Sequence, residues 1–173
     1  LQISAGHFED AKDTMFEAYE LLGEDEAPRG INLLIPIKLA NALIVSGHTK
    51  RSAEILSEVK ADINAHDAYF LALWNIVKAR ASLTMKEYEE AQSLAQAALE
   101  IAERAGIHLL AQNAKVFLAC AYKGVGNKKR ATEYMLKALQ DAAEERVTQP
   151  FLEVLPGIQS LLQEIASKQN ENK

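Results

Sequence analysis

The sequence is poor in residues that cross-link or interrupt a chain. Its 173 residues include one cysteine, four prolines and eight glycines. A single cysteine excludes an internal disulfide, which is typical of a reducing compartment, so we expect a cytoplasmic protein. Because proline and glycine are the least favourable residues in a helix interior, their scarcity favours long helices.

The sequence also lacks an excess of positive charge and a long apolar run. Its net charge is −5, whereas nucleic-acid binding needs a positive surface, so DNA contact by this segment alone is not expected. No apolar run reaches the roughly 18 residues that cross a bilayer, and no signal peptide is present. The chain begins with Leu1 rather than Met, so we expect a piece of a longer protein.

Alanine, leucine and glutamate are abundant, and the sequence contains an internal repeat. Four short motifs each begin at a turn and end on a small residue early in a helix. They are Gly6-His7-Phe8-Glu9-Asp10-Ala11, Gly47-His48-Thr49-Lys50-Arg51-Ser52, Lys86-Glu87-Tyr88-Glu89-Glu90-Ala91 and Gly126-Asn127-Lys128-Lys129-Arg130-Ala131. The small residues stand at positions 11, 52, 91 and 131, at intervals of 41, 39 and 40. Such an even period predicts a repeat architecture.

Each motif opens an amphipathic helix, and each motif after the first is preceded by another helix. The buried stripe of the third repeat is predicted at Ala91, Leu94, Ala95, Ala98, Leu99 and Ala102. The preceding helices are predicted at about 32–46, 66–83 and 107–124. Short polar links force each pair to fold back antiparallel, and neighbouring pairs then stack to bury their apolar faces.

The sequence therefore predicts one all-α domain of antiparallel helix hairpins with a period of about 40 residues. Its predicted parts are a partial repeat at 1–29, repeats at about 30–65, 66–106 and 107–147, and a capping helix at about 150–169. Apolar residues at Ile158, Leu161, Leu162 and Ile165 mark the capping helix. Pro36 removes a helix hydrogen bond, so we expect a helix to begin near it or to kink there.

The spacing of turn glycine, aromatic and small residue resembles the tetratricopeptide repeat (TPR). Gly6, Phe8 and Ala11 follow it, as do Tyr88 and Ala91. The period of about 40 departs from the usual 34 residues and is similar to the repeat domain of MalT-like large regulators of the LuxR class. The segment Val147-Thr148-Gln149-Pro150-Phe151-Leu152-Glu153 resembles the segment that closes that domain, with Gln149 where arginine is usual.

The resemblance implies a right-handed superhelix and a role in signal sensing and transcription regulation. In that family an NTP-hydrolysing module precedes the repeat domain, and a DNA-binding helix-turn-helix follows it. The repeat domain receives a small-molecule inducer or a protein partner, and DNA is bound only through the helix-turn-helix. This sequence contains no phosphate-binding Gly-x-x-x-x-Gly-Lys-Ser/Thr pattern. The alternative is a stand-alone TPR-like adaptor that binds peptides or proteins.

The TPR register predicts a groove lined by the first helix of each hairpin. The candidate groove residues are Ile37, Asn41, Ile76, Arg80, Asn113 and Lys123. An apolar groove suits an amphipathic helix or peptide, and its polar row can hydrogen-bond a sugar or a carboxylate. The alternative is that longer helices rotate the register, so that the apolar members are core between helices.

No constellation of residues predicts catalysis, a cofactor or a metal site, so we expect a protein that is not an enzyme. The four histidines lack metal-ligand spacing, and Cys120 lies in a helix without a neighbouring base. Trp74, with Tyr69 and Phe70, is better interpreted as core packing than as an aromatic platform. Apolar surface left by the truncated first repeat makes a homo-oligomer possible through the N-terminal end.

Overall fold

The computed structural model describes residues 8–22, 28–64, 67–152 and 155–171. Within these ranges the chain is helical and contains no strand, which confirms the all-α prediction. The helices in chain order are α1 (Phe8–Leu21), α2 (Arg29–Val45), α3 (Thr49–Asp62), α4 (Ala68–Thr84), α5 (Tyr88–Arg104), α6 (His108–Gly124), α7 (Lys128–Glu145), α8 (Gln149–Leu152) and α9 (Leu155–Glu171). Gly6 and His7 of the first motif lie outside the described residues.

The helices pack mainly against their neighbours in the chain. Helices α2 and α3, α4 and α5, and α6 and α7 form successive hairpins, and α4 also contacts α2 and α6. The three helices predicted to precede the motifs are present as α2, α4 and α6. The handedness of a superhelix stays a prediction.

The short turns share one backbone geometry. At Gly47, Gly106 and Gly126 φ is +84°, +68° and +80°, and Lys86 adopts +63° at the equivalent position of the middle hairpin. In the first of these turns the amide N–H of His48 donates to the carbonyl of Leu43 at 2.7 Å. This pattern satisfies carbonyls that a helix end leaves without partners, and it reverses the chain.

The core combines first helices that are buried on several sides with second helices that bury one stripe. In α4 every residue from Ala72 to Val77 is buried. In α5 the buried stripe is Ala91, Ala95, Ala98, Leu99 and Ala102, as predicted, with Leu94 partly buried. Small side chains on this stripe let the helix axes approach closely. The buried apolar side chains form two clusters: one extends from α2 to α6, and the other joins α6 and α7 to the C-terminal helices α8 and α9.

Pro36 lies inside α2, which begins seven residues earlier at Arg29. Of the two alternatives for Pro36, a helix start is therefore wrong, and a kink stays a prediction. Pro36 is buried, as are Ile37, Leu39 and Ala40 around it. Burial of this apolar segment offsets the cost of the proline, which removes one helix hydrogen bond and crowds the preceding turn at a total cost of about 3 kcal/mol in a helix interior.

The C-terminal helix covers the last hairpin. Ile158, Leu161 and Ile165 of α9 are buried in a cluster with Val116 and Met135. Leu162 is partly buried there, so the predicted stripe packs as a unit. The turn before α8 is tied to α6, because Gln112 Nε2 donates to the carbonyl of Val147 at 2.9 Å.

Candidate binding groove

The side-by-side packing of α2, α4 and α6 forms a surface that we call the first-helix face. Repeat spacing places equivalent residues next to one another on this face. Asn41 of α2 is 39 residues before Arg80 of α4, and Leu73 of α4 is 40 residues before Asn113 of α6. The sequence period thus sets which side chains from different hairpins meet.

Arg80 links the three helices of this face. Its side chain is only 6% exposed. Nη1 donates to Asn41 Oδ1 at 2.7 Å, and the guanidinium carbon lies 5.3 Å from the ring centroid of Phe117. A hydrogen bond to α2 and a cation–π contact with α6 hold the guanidinium in place. Arg80 is therefore a positioning residue for the groove wall rather than an exposed charge.

Four of the predicted groove residues line a single cavity of about 130 Å³. They are Asn41, Ile76, Arg80 and Asn113. The other lining residues are Lys38, Tyr69, Leu73, Val77, Ile107, Leu109 and Leu110. Pockets that enclose a drug-sized molecule are about 300–1,000 Å³, so this cavity accommodates only part of such a ligand.

Exposed apolar side chains belong to the wall of this cavity. Tyr69 is 43% exposed and Leu109 is 44% exposed. They occupy equivalent positions near the starts of α4 and α6, 40 residues apart. Sequence reasoning did not assign Leu109 to the groove, although the repeat offset from Tyr69 points to it. The Nδ2 of neighbouring Asn113 donates to the carbonyl of Leu109 at 3.0 Å.

The two remaining predicted residues lie elsewhere. Ile37 has no exposed surface and belongs to the core between helices. Lys123 stands near the end of α6, where its Nζ donates to Ser160 Oγ of α9 at 2.7 Å. Neither residue lines the cavity. The helices of this repeat are longer than those of the TPR, and Ile37 faces inward. This is the alternative that the TPR register left open.

The three aromatic residues grouped in the sequence do not form one platform in the structure. Tyr69 and Phe70 meet edge to face, with ring centroids 5.3 Å apart and planes at 85°. Trp74 is 8% exposed, and its Nε1 donates to the carbonyl of Leu56 at 2.7 Å. Trp74 and Phe70 pack with the core, whereas Tyr69 contributes to the groove.

The cysteine and the described histidines lie in environments that do not favour catalysis or metal binding. Burial raises the pKa of the Cys120 thiol to about 12, so the thiolate that would act as a nucleophile is scarce at neutral pH. His48 precedes α3, and His108 Nδ1 lies 3.5 Å from Glu145 Oε1 at the start of α6. His7 and His66 lie outside the described residues. Among the residues that the structure describes, no group of His, Cys, Asp and Glu is arranged to hold a metal ion.

The basic run at the start of α7 is a solvent-facing helix end. Lys128, Lys129 and Arg130 are exposed, and the Arg130 guanidinium lies 5.9 Å from the Tyr122 ring centroid. Tyr122 in turn stacks on Tyr134 with centroids 5.5 Å apart. Arg130 therefore packs on the Tyr122–Tyr134 pair of the last hairpin, while Lys128 and Lys129 face solvent.

Comparison with protein-family models, with curated proteins and with solved structures yields no match. The TPR-like and MalT-like resemblance therefore stays a prediction. In the described ranges, no helix has both the length and the apolar character that crossing a bilayer requires.

Proposed function

We propose that this chain is the effector- or protein-binding helical-repeat domain of a MalT-like, LuxR-class transcriptional regulator. The observation that carries the binding role is the convergence of Asn41, Arg80 and Asn113 on one cavity, whose wall includes the exposed Tyr69 and Leu109. Amide groups supply hydrogen bonds there, and the aromatic and aliphatic side chains supply contact area. This combination is typical of a surface that recognises a guest.

The size of the cavity favours one of the two kinds of guest. A volume of about 130 Å³ suits one inserted side chain better than a whole inducer molecule. We therefore favour a peptide or protein partner that places an apolar side chain against Tyr69 and Leu109. An amphipathic helix presents such side chains at regular intervals, and helical grooves commonly bind them.

Binding rather than catalysis is proposed, because the chemistry of this face is that of recognition. The single thiol of the chain is held protonated by burial, and Arg80 is engaged by Asn41. In a regulator, occupation of the groove would report the presence of the partner to flanking modules. DNA contact is proposed only through a helix-turn-helix outside this segment.

The binding role can be tested with peptides selected by display against the isolated chain. We expect Tyr69→Ala and Leu109→Ala each to weaken a selected helical peptide about tenfold in calorimetry, as the truncation of a central interface side chain does. Leu136→Ala is the matched control, since Leu136 is 40% exposed on α7 and does not line the cavity. Equal affinity of all three variants would place the peptide elsewhere and contradict the groove.

The regulator assignment has a separate test in the full-length coding sequence. A MalT-like regulator requires a phosphate-binding loop of the Gly-x-x-x-x-Gly-Lys-Ser/Thr type upstream and a helix-turn-helix downstream. If both modules are missing while peptide binding persists, the chain is the stand-alone adaptor. The adaptor is the second candidate, because a docking surface that includes the exposed Tyr69 and Leu109 suits it as well as it suits a regulator.

Self-association through the N-terminal end is also proposed. On α1, Phe16 is 41% exposed and Leu21 is 63% exposed. A cavity of about 480 Å³ lies beside Phe16 and Leu43. Sedimentation of the wild-type chain and of Phe16→Ser at several concentrations tests this surface, and a wild-type chain that stays monomeric at high concentration would exclude it.

A further inference from the structure

A larger cavity, which we call the Trp74 cleft, lies between α3 and α4 beside the start of α5. Its volume is about 450 Å³, which is within the range of pockets that enclose small organic ligands. Apolar side chains form much of its wall, among them Leu56, Trp74, Ala81 and Met85. Met85 is 47% exposed, so apolar surface is accessible at this position.

Trp74 is fixed in the wall of the cleft. Its Nε1 donates to the carbonyl of Leu56 at 2.7 Å, which ties α4 to α3. The Nζ atoms of Lys60 and Lys78 lie 4.9 Å and 5.4 Å from the ring centroid. Aromatic faces attract cations, and this ring already faces two. A cationic ligand would therefore meet repulsion at the same place.

The charges around the cleft leave a positive balance. Lys78 Nζ lies 3.3 Å from Glu90 Oε1, and Ser82 Oγ donates to Glu90 Oε2 at 3.0 Å. Burial acts to raise the pKa of Glu90, but Ser82 and Lys78 together lower it, so Glu90 is a carboxylate at neutral pH. Within the described part of the chain, Lys60 contacts the Trp74 ring and forms no ion pair.

We propose that the Trp74 cleft binds a small amphipathic monocarboxylate. The apolar part of the ligand lies against Leu56, Trp74 and Met85, and its carboxylate pairs with Lys60. The volume and the apolar walls select the body of the ligand, and the uncompensated ammonium selects its charge. Lys78 and Glu90, which also line the cleft, neutralise each other.

This site is independent of the groove on the first-helix face, because the two cavities share no lining residue. Failure of one proposal leaves the other intact. A carboxylate that binds here contacts α3 and α4 together. It therefore reinforces the seam between the first two complete hairpins, where the Trp74–Leu56 hydrogen bond already lies.

The test uses octanoate as the probe and the fluorescence of Trp74, which is the only tryptophan in the chain. We expect octanoate to give a saturable change, whereas octan-1-ol binds more weakly and octyltrimethylammonium gives no saturable change. Calorimetry of the octanoate titration measures the affinity without depending on the ring environment. All probes are kept below the concentrations at which they aggregate.

Variants at exposed positions separate a specific site from general adhesion. Lys60→Gln should weaken octanoate about fivefold, which is the effect of losing one solvent-accessible ion pair. Lys50→Gln is the matched control, because Lys50 is an exposed lysine on the same helix and does not line the cleft. Ala53→Phe, at an exposed position in the cleft wall, should fill the cavity and abolish binding.

Three results would overturn the proposal. The first is an absence of saturable octanoate binding to the wild-type chain. The second is equal binding of octanoate and octyltrimethylammonium, and the third is equal octanoate affinity of Lys60→Gln and Lys50→Gln. Circular dichroism of each variant verifies that the helices are retained, so a loss of binding is assigned to the cleft.

Discussion

Replacing Gly124 with alanine is expected to destabilise the protein, although the same change usually strengthens a helix. Gly124 is the last residue of α6, and Tyr88 is the first residue of α5. A Cβ atom added at Gly124 would lie 2.5 Å from Tyr88 Cγ and closer still to Cδ1 and Cε1. The ring of Tyr88 therefore occupies the space that a side chain at position 124 would need.

Two opposing terms set the magnitude. Alanine is favoured over glycine in a helix by up to about 1 kcal/mol, and somewhat less at a terminal residue. Overlap with a packed ring costs about 1–3 kcal/mol, because the whole ring must move when even its Cγ atom is too close. The expected net result is a decrease of about 1 kcal/mol in the free energy of unfolding.

Urea denaturation followed by circular dichroism measures this change, and a double-mutant cycle assigns its cause. In a Tyr88→Ala background, Gly124→Ala should instead stabilise the protein by about 0.5 kcal/mol, because the obstructing ring is gone. Gly30→Ala is the matched control. A Cβ there would meet only Phe70 Cζ at 3.6 Å, an ordinary contact, so this change should be neutral or stabilising.

The sign of the effect is the decisive observation. If Gly124→Ala stabilises the wild-type protein as much as it stabilises the Tyr88→Ala variant, the ring does not restrict position 124. That result would contradict the close contact between α5 and α6 at Tyr88 and Gly124. A coupling energy of about 1 kcal/mol or more between the two positions is expected.

Three further predictions concern single side chains. Arg80→Ala should lower the free energy of unfolding by about 2–4 kcal/mol in urea denaturation. The change leaves Asn41 Oδ1 without its 2.7 Å donor and removes packing on α6. As a control, Arg104→Ala changes an exposed residue and should lower the free energy of unfolding by less than about 0.5 kcal/mol. Lys86→Gly should stabilise the protein by up to about 1 kcal/mol in the same assay, because φ is +63° at this residue and glycine adopts this left-handed conformation more readily. A destabilised variant would contradict the left-handed conformation of residue 86. Burial raises the pKa of Cys120 from 9.0 to about 12, so native protein at pH 8 should react slowly with a thiol reagent. The protonated thiol should also stabilise the fold, and this contribution should be complete below pH 9 and lost as the pH rises towards 12. Rapid native labelling, or equal pH dependence in Cys120→Ala, would contradict this assignment.

The repeat period predicted which residues from different hairpins would become neighbours. Asn41 and Arg80 are 39 residues apart in the chain and 2.7 Å apart at their side-chain atoms. The same reasoning did not predict that Arg80 would be buried, and it left open whether Ile37 would line the groove or face the core. Those outcomes depend on the rotation of each helix about its axis, which a small change in repeat length alters.

The helices themselves were predictable because their causes are local. Alanine-rich stripes at 3.6-residue spacing, turn glycines such as Gly47 and Gly126, and scarce proline act over a few residues. Lys86 in a left-handed turn was not predictable in this way, and at Pro36 the local signal left a helix start and a kink as alternatives. At both positions the surrounding hairpin packing outweighs the local preference of the residue.

By itself, the sequence determined an all-helical chain with a period of about 40 residues, because helix propensity and apolar spacing are short-range properties. Only the tertiary structure decided that Arg80 is engaged by Asn41 and Phe117 and that cavities of about 130 Å³ and 450 Å³ lie on separate seams. Cavity volume and burial depend on distances between helices that are far apart in the chain. Such distances follow from the packing of the whole array rather than from any one segment.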